Sequence, residues 1–443
     1  MSVQDEVAGA VGLDLSTVDI EDEGRLASCF AVTELALASV RAAAAALSAY
    51  AGGVVTMNRW RTLKWFDMTL RPCGWELPGL WDAVAGDYPC SDGWIRLHTN
   101  APHHRKAALS VIGCEPQRDA VAQAVSRHGK HDLESAVVAA GGCAAAMMSI
   151  EEWRAHPQGK AVAAEPLIGW TERAGDVRPQ DRRAGLAGIR VLDLTRVIAG
   201  PAATRFLAGF GADVLRIDPP SWNEPAVEPE MALGKSCAGL DLRRDEDRAV
   251  FEHLMRQADI LVHGYRPGAL EGLGYGAEER CRLNPGLIEV SLNAYGHQGP
   301  WAGRRGFDSL VQMSCGIAAE GMARARAEHP RPLPVQALDH ATGYLMTAAA
   351  LRALTTRRET GSVLSARLAL ARTATLLIAD GARDFTAIDM RAETQADYAP
   401  GIEETGWGPA QRLAFPVMLD GALPAWPRAA GPLRRDAARF RKR

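Results

Sequence analysis

The hydrophobic pattern of the chain changes character at about residue 188. From Gly188 onward, short β-branched runs such as IRVLDLT and DILVHGY alternate with helical stretches. Runs of this kind are typical of parallel strands that are buried on both faces. The second half of the chain therefore predicts an α/β fold with an open, mostly parallel, Rossmann-like sheet and helices on its faces.

The first half of the chain has a different pattern of hydrophobic and polar residues. Ala31–Tyr50 is rich in alanine and is followed by Gly52 and Gly53, which predicts a helix with a glycine stop. Because Arg41 interrupts this apolar stretch, we expect a packed helix rather than a membrane span. DYPCSDGWIRLHT at Asp87–Thr99 then predicts a strand, a turn and a second strand, with helical patterns after it. This half predicts a smaller α+β domain.

The length of the chain and its loop-forming stretches suggest how it divides into domains. Its 443 residues exceed one ordinary core, so two domains are expected. A polar stretch rich in Arg, Asp, Gly and Pro is the best linker candidate. The basic stretch from Arg434 to Arg443 is expected to be a frayed, solvated terminus. The predicted divisions are an N-terminal helical segment (1–53), a small domain (54–168), a linker (169–187), a large domain (188–383) and a C-terminal tail (384–443).

Composition narrows the classes of function. A charged share of 23% and a net charge of −3 give no reason to expect nucleic-acid binding. The 8 cysteines form no CxxC pair, which favours buried thiols in a reducing cytosol over disulfides or a metal site. The first thirty residues lack a basic region before an apolar stretch, so no signal peptide is expected. We therefore expect a cytoplasmic protein that binds neither membranes nor nucleic acids.

Five segments of the second half carry specific motifs. They are GIRVLDLTRVIAGPAATRFLAGFGADVLRIDPP (Gly188–Pro220), GKSCAGLDLR (Gly234–Arg243), ADILVHGYRPGALEGLGYG (Ala258–Gly276), LNPGLIEVSLNAYGHQGPWAGRRGFDSLVQ (Leu283–Gln312) and LDHATGYLMTAAALRAL followed by TG (Leu338–Gly361). These segments resemble those of the family III CoA-transferases, the CaiB/BaiF-like group that includes formyl-CoA and carnitine CoA-transferases. Their order and spacing make the signal more specific than any lone glycine motif.

The first half resembles the same family in an unexpected order. YPCSDGWIRL and GGCAAAMMSIEEWRAHPQGKA are similar to the small domain, which ordinarily follows the large one. VTMNRWRTL at Val55–Leu63 also loosely echoes VLSARLALA at Val363–Ala371. The resemblance therefore predicts an order-swapped chain, with the small domain first and the large CoA-binding domain second.

The resemblance implies that Asp339 is the catalytic carboxylate. In this family an Asp at that position attacks the acyl carbon, expels the CoA thiolate and forms a mixed anhydride as reactive as the thioester. An Asp directly before a helix also lies where the positive end of the helix dipole stabilises its anion. The same placement suits an ordinary N-cap, so the residues alone leave a purely structural role open.

The resemblance also implies a CoA site, with acyl-CoA as a substrate, a small carboxylic acid as the second substrate, no permanently bound cofactor or metal, and a homodimer. Backbone groups in the turn after the first strand would contact CoA. Apolar and aromatic positions would lie beside the adenine, and basic positions would meet the phosphates. Arg304 is the exposed alternative to Arg305, and Arg243 is alternatively a solvated charge at a helix start. The implied residues are Arg196, Val197, Ile198, Ala199, Leu240, Arg243, Gly264, Tyr265 and Arg305.

Two rival functions remain open at this point. α-Methylacyl-CoA racemases are close relatives of these transferases, and they carry a histidine base at the position of Phe307. Phenylalanine cannot transfer a proton, which favours CoA transfer over racemisation. The other rival is an acyl-CoA-binding relative without catalytic activity. His98, His103 and His104 lack further ligands at metal-site spacing, so we expect surface histidines there.

Overall fold

The computed structural model describes residues 2–175 and 185–441. The strands, numbered in chain order, are β1 (Asp19–Glu21), β2 (Val55–Asn58), β3 (Leu70–Pro72), β4 (Gly86–Cys90), β5 (Gly93–Leu97), β6 (Ala144–Ala146), β7 (Gly169–Arg173), β8 (Arg190–Leu194), β9 (Asp213–Asp218), β10 (Ser236–Gly239), β11 (Ile260–His263), β12 (Ile288–Asn293), β13 (Val363–Ala369), β14 (Glu403–Thr405), β15 (Gly408–Arg412) and β16 (Val417–Leu419).

The α-helices, numbered in the same way, are α1 (Val3–Val11), α2 (Val32–Ala51), α3 (Arg59–Lys64), α4 (Pro102–Ile112), α5 (Arg118–Val125), α6 (Lys130–Ala139), α7 (Ile150–Ala155), α8 (Pro157–Ala164), α9 (Ala199–Gly209), α10 (Glu228–Met231), α11 (Asp245–Gln257), α12 (Ala269–Gly272), α13 (Ala277–Leu283), α14 (Asp308–Ser314), α15 (Ile317–Arg324), α16 (Ala337–Thr360) and α17 (Leu370–Ala379). Short 3₁₀ turns lie at Leu15–Thr17 and Gln395–Asp397.

A seven-stranded sheet forms the centre of the molecule, in the order β10-β9-β8-β11-β12-β13-β7. All neighbouring strands are parallel except β7, which runs antiparallel to β13. The α/β prediction with a mostly parallel sheet is confirmed. The strand order reverses between β8 and β11, and a crevice for ligands forms at the carboxyl ends of strands beside such a reversal. The turns after β8 and β11 therefore lie next to each other.

Helix α16 is packed closely against the start of α9. A Cβ atom added at Gly343 would lie 2.3 Å from the carbonyl oxygen of Ala199, so only glycine allows the two backbones to approach this far. This contact places the first turn of α16 beside the turn that follows β8.

The N-terminal segment is part of the same core. Helix α2 packs along α16, and Leu35, Val40 and Leu47 are fully buried. By length and hydropathy α2 could cross a membrane, but 78% of its most apolar window is buried inside the protein. The helix thus has the packed position that the sequence predicts.

The small domain contains the predicted hairpin. Strands β4 and β5 pair antiparallel, β6 adds to β5, and helices α4, α5 and α6 cover the sheet. Tyr88, Ile95, Val121 and Val137 form the centre of its own apolar cluster. Helix α14 packs against β5 and β6, which places this domain over the carboxyl edge of the large sheet.

The predicted boundaries differ from the structure at three places. The predicted linker, 169–187, begins with β7, an edge strand of the large sheet, and its residues 176–184 lie outside the described part of the chain. The start of the predicted small domain does not belong to that domain's core: β2 pairs with β1 and β16, and β3 pairs with β15. The predicted tail, 384–443, supplies β14, β15 and β16 to these small sheets.

The basic terminus is folded onto the large domain as far as residue 441, so the prediction of a frayed tail is wrong. Phe440 is 7% exposed and packs in the apolar cluster that contains Phe251. The guanidinium group of Arg441 pairs with Asp213 at 2.9 Å. These pairings join residues far apart in sequence, and the local charge pattern does not reveal them.

One buried carboxylate ties three parts of the chain together. Glu230 is 1% exposed and accepts hydrogen bonds from the backbone of Thr69 and from the guanidinium groups of Arg205 and Arg412. Each of these partners comes from a different predicted segment. Because a buried charge is tolerated only when it is paired and hydrogen-bonded, the three segments must be in place together.

Candidate active site

A cavity of about 650 Å³ lies at the carboxyl ends of β8, β11 and β12. The turn after β8 and the turn after β11 form two of its walls, and the first turn of α16 faces it. Helix α4 of the small domain forms a further wall. The predicted site residues that line this cavity are Arg196, Val197, Ala199, Gly264, Tyr265, Arg305 and Asp339.

Asp339 is the third residue of α16, not the residue directly before it. The N-cap is Gln336, and its side chain makes no capping hydrogen bond. The carboxyl group of Asp339 is mostly buried, with the residue 7% exposed, and accepts no hydrogen bond from the described residues. Asp339 is therefore not an N-cap, and its acid group faces the cavity in the first turn, where the helix dipole favours an anion.

A second buried carboxyl group lies beside it. Asp308 Oδ2 accepts a hydrogen bond of 2.9 Å from the backbone N–H of Asp339, and Oδ1 accepts one from the side-chain amide of Gln312. Burial raises the pKa of Asp308 to about 6, against the lowering effect of these hydrogen bonds. Burial, reinforced by the negative charge of Asp308, raises the pKa of Asp339 well above its usual range.

This arrangement leaves the anionic form of Asp339 poorly stabilised. When it is ionised, its charge is poorly solvated and repelled by Asp308, so the anion is higher in free energy than an exposed carboxylate. Bond formation at an acyl carbon removes this charge, which makes the poorly solvated carboxylate a stronger nucleophile. Strong perturbation of a carboxyl pKa inside a cleft is a common feature of functional sites.

The turn after β8 is held in a strained conformation. Val197 has a φ of +64°, in the left-handed region that β-branched residues rarely occupy. Its N–H donates to Glu224 Oε2 at 2.9 Å, and Glu224 is itself paired with the buried Arg216. This buried ion pair fixes the backbone of the turn where it lines the cavity. Ile198, the N-cap residue of α9, is not among the residues that line it.

Four arginines line the cavity, and they differ in their pairing. Arg304 is buried and pairs with Glu134 at 2.6 Å, so its prediction as the exposed alternative is wrong. Arg305 is exposed and, like Arg266, forms no ion pair with a described residue. The guanidinium group of Arg196 lies between two aromatic rings, 4.7 Å from the centroid of Trp222 and 5.4 Å from that of Tyr265. The cavity is thus cationic and suits a ligand with several anionic groups.

Besides Ile198, two further predicted residues do not line this cavity. Leu240 is 5% exposed and packs in the same apolar cluster as Phe251. Arg243 is exposed and bonds to both carboxylate oxygens of Asp241 at 2.8 Å. Their roles beside the adenine and phosphates stay predictions. Arg266, at the turn after β11, is a cation that the sequence motifs did not single out.

Two histidines of the small domain contact Phe307, and neither is a surface residue as predicted. His98 and His104 are 6% and 2% exposed. The His98 ring stacks on Phe307 with the centroids 3.8 Å apart, and His104 meets the same ring edge-on. Burial lowers the pKa of both histidines to about 3, so both are neutral near pH 7. His103 and His104 line the cavity that Asp339 faces.

A smaller cavity of about 230 Å³ adjoins the first one. Val197, Trp222 and Phe307 line both. Its other walls include the loop 79–82 and the loop 223–227. No sequence pattern indicated this second cavity, because most of its walls are irregular loops without periodicity.

Residues 186–402 match the family model described as CoA-transferase family III. An acetyl-coenzyme A transferase of Hypoxylon pulicicidum is 34% identical over 204 residues, which cover 45% of this chain and 34% of that protein. A succinyl-CoA–D-citramalate CoA-transferase of Chloroflexus aurantiacus is 35% identical over 147 residues, which cover 30% of this chain and 37% of that protein.

A probable fatty acyl-CoA transferase of Mycobacterium tuberculosis is 33% identical over 191 residues, which cover 40% of this chain and 48% of that protein. Its crystal structure aligns with a TM-score of 0.40 and 29% identity, over 44% of this chain and 57% of that chain. The chain thus spans less than half the length of these curated relatives. The family model and the curated relatives agree on one assignment, and the part of the chain from residue 186 to residue 402 belongs to CoA-transferase family III.

Proposed function

We propose that this protein transfers CoA between an acyl-CoA and a free carboxylate through an anhydride at Asp339. The observation that carries the proposal is the position of Asp339: a buried, poorly solvated carboxyl group in the first turn of a helix, facing a cationic cavity of about 650 Å³. The family assignment and the acyl-CoA substrates named for its relatives support the same reaction class.

The reaction proceeds through four acyl transfers in this proposal. The Asp339 carboxylate attacks the acyl carbon of the donor thioester, the carbon–sulfur bond breaks, and a mixed anhydride and CoA thiolate form. The thiolate attacks the Asp339 carbonyl carbon and releases the first acid, which leaves an aspartyl-CoA thioester. The acceptor carboxylate attacks this thioester and forms a second anhydride, and the thiolate then takes the new acyl group. Asp339 is regenerated, and atoms and charges balance.

The other cavity residues have supporting roles. Arg196, Arg266 and Arg305 would bind the phosphates of CoA, because none of the three has a carboxylate partner among the described residues, whereas Arg304 is paired with Glu134. The strained backbone around Val197 would contact CoA, and backbone amides near the start of α16 would stabilise each oxyanion. Coenzyme A is a substrate in this scheme, and the mechanism assigns no role to a permanently bound cofactor.

We also propose a homodimer in the cytoplasm. All eight cysteines are unpaired, which agrees with a reducing compartment. The main cavity already has walls from the small and large domains of one chain, so a dimer is not needed to complete those walls. Light scattering on the purified protein tests the dimer, and a monomeric mass would reject it.

One observation bears on the racemase alternative. His104 lines the same cavity as Asp339, so two potential bases are present there. Burial depresses the pKa of His104 to about 3, which makes it a weak base. Exchange of the α-hydrogen of an acyl-CoA with deuterium from solvent, without an adduct at Asp339, would favour this alternative.

The proposed function is tested by trapping the anhydride. The protein is incubated with a panel of acyl-CoAs, treated with hydroxylamine and digested for mass spectrometry, with Asp339→Ala as the control. The proposal expects a hydroxamate at Asp339 in the unchanged protein and none in the variant. Measurable CoA binding without any adduct would instead indicate an acyl-CoA-binding protein.

A further inference from the structure

We propose that the cavity of about 230 Å³ holds the acyl group, and that it selects uncharged acyl groups over those with a second carboxylate. This inference rests on the proposed CoA transfer for its reaction, and it adds the class of acyl group. The cavity is smaller than the roughly 300–1,000 Å³ of sites for drug-sized ligands, so it suits acyl groups of small or medium size.

The position of the second cavity supports this role. Phe307 lines both cavities and directly precedes Asp308. The carboxylate of Asp308 in turn accepts the backbone N–H of Asp339 at 2.9 Å. The junction between the cavities is therefore close to the reacting carboxyl group. With CoA in the cationic cavity and its thioester at Asp339, the acyl group extends past Phe307 into the second space.

The charges of the second cavity set it apart from the first. No Lys or Arg of the described residues lines it, whereas four arginines line the larger one. Its two carboxylates already have cationic partners: Asp82 pairs with Arg105 at 3.1 Å, and Glu224 pairs with Arg216, which also binds Asp218. A ligand carboxylate here would find no free cation to replace its lost hydration.

The hydrogen bonds of the wall are also occupied. Asp82 accepts from Thr99 Oγ1 at 2.7 Å, and Asn100 accepts from the backbone of Asp82 and donates to the backbone of Leu80. Glu224 accepts from the indole N–H of Trp222 at 2.8 Å. A buried polar group without a partner costs free energy, and a charge costs considerably more. A second carboxylate is therefore excluded by desolvation.

His98 is the one lining side chain with a buried nitrogen lacking a partner among the described residues: its Nδ1. The ring is fixed by stacking on Phe307 at 3.8 Å, and burial keeps it neutral by lowering its pKa to about 3. A neutral imidazole can hydrogen-bond one hydroxyl or keto group, but it supplies no charge. Apart from this contact the cavity offers mainly apolar surface, from residues such as Ala226 and Val227.

The experiment compares two donors with four-carbon acyl groups, butyryl-CoA and succinyl-CoA, with acetate as acceptor. The inference expects a kcat/KM for butyryl-CoA that is larger by about a hundredfold, because succinyl-CoA must bury an unpaired carboxylate. Similar values for the two donors, or a preference for succinyl-CoA, would overturn it.

A pair of variants tests the cavity itself. Leu80 lines it and is 45% exposed, so Leu80→Arg adds a cation at little risk to folding. The expected result is a fall of about tenfold or more in the preference for butyryl-CoA. Ile388→Arg is the matched control, because Ile388 is 65% exposed and lines neither cavity. An unchanged preference in Leu80→Arg would reject the assignment of this cavity.

Binding to Asp339→Asn separates this inference from the proposed function. Calorimetry of that variant with the two acyl-CoAs measures the preference without turnover, so it is informative even if no acyl-CoA is ever transferred. Tighter binding of butyryl-CoA supports the inference independently. Equal or tighter binding of succinyl-CoA contradicts it, whatever the outcome of the trapping experiment.

Discussion

Two helix–strand–helix units in this chain resemble each other in outline and differ in environment. In one, α2 is capped by Gly52 and followed by β2 and α3; in the other, α16 is capped by Gly361 and followed by β13 and α17. Both glycines are left-handed, as a helix C-cap requires. The two long helices also pack against each other.

Both long helices carry an acid at their third position, Glu34 in α2 and Asp339 in α16. The side chain of Glu34 is exposed, whereas Asp339 is buried between a second carboxyl group and a cationic cavity. The helix dipole favours an anion at both places. The two acids therefore share a helix position and differ in burial, and burial beside Asp308 raises the pKa of Asp339 well above its usual range.

The largest difference is expected in turnover. Asp339→Asn removes the nucleophile of the proposed reaction and should lower kcat/KM by roughly three orders of magnitude or more. Glu34→Gln makes the same chemical change at the matching position of α2 and should leave kcat/KM within about twofold of the unchanged protein, as surface substitutions generally do. Steady-state assays with butyryl-CoA measure both. Equal losses in the two variants would refute the assignment of Asp339.

A smaller loss, of both stability and turnover, is expected when the contact between α16 and α9 is disturbed. In Gly343→Ala the new Cβ would lie 2.3 Å from the carbonyl oxygen of Ala199, so α16 must move away from α9. Overpacking of this kind costs about 1–3 kcal/mol and should also lower turnover, because the cavity turn shifts relative to Asp339. Thermal unfolding and kcat/KM are measured together.

The matched variant in α2 is Ala38→Gly, which occupies the corresponding place four residues after the acid. It costs up to about 1 kcal/mol through helix propensity and leaves turnover unchanged. A Gly343→Ala protein with full turnover would show that the close approach of α16 to α9 is not needed for the site.

The pH profile tests the role of Asp308. The proposed reaction needs ionised Asp339, so kcat/KM falls as pH drops through the raised pKa of that carboxyl group. Asp308→Asn removes the neighbouring negative charge, which lowers the pKa of Asp339 and moves the acid limb to lower pH. Glu34→Gln should leave the limb in place. If the acid limb of the Asp308→Asn profile stays in place or moves to higher pH, the electrostatic coupling between Asp308 and Asp339 is contradicted.

The smallest expected effect is the change in thermal stability when Asp339 is replaced. The folded-state pKa of Asp339 is raised, so the folded protein holds this proton more tightly than the unfolded chain, whose Asp pKa is about 3.9. Stability is therefore lost as pH rises from about 4 through the folded-state pKa. Asp339→Asn should raise Tm at pH 7, by roughly 1 °C for each kcal/mol of added stability in a chain of 443 residues, and by less at pH 4. A Tm gain that is equal at both values, or absent, would contradict the raised pKa.

The sequence revealed the parts of this structure that are encoded locally. Strands such as β8 and β11 are continuous apolar runs between turn residues, and α16 begins within two residues of the predicted place. β7 was missed because GWTER is a polar edge strand that looks like a linker. The fold of the terminus was missed because its contacts, such as Arg441 with Asp213, join distant parts of the chain.

At the candidate site, too, the sequence reveals what is encoded locally and misses what depends on contacts between distant residues. The family motifs pointed to Asp339 and to the turn around Val197, and the structure brings both to one cavity. The motifs could not show that Asp308 raises the pKa of Asp339, because that depends on a hydrogen bond between different helices and on burial. The buried state of His98 and His104 likewise depends on how the small domain lies over Phe307.

The buried Glu230 has a consequence for how the protein unfolds. Because its partners Thr69, Arg205 and Arg412 come from the first, second and last parts of the chain, detaching the part that carries Thr69 or Arg412 removes hydrogen bonds from a buried carboxylate. Local opening of the C-terminal sheets therefore carries the cost of these lost hydrogen bonds, which couples the opening to the rest of the fold. Thr69, Arg205 and Arg412 thus belong to a single cooperative unit, and calorimetry should record one transition where a chain of separate domains would give two.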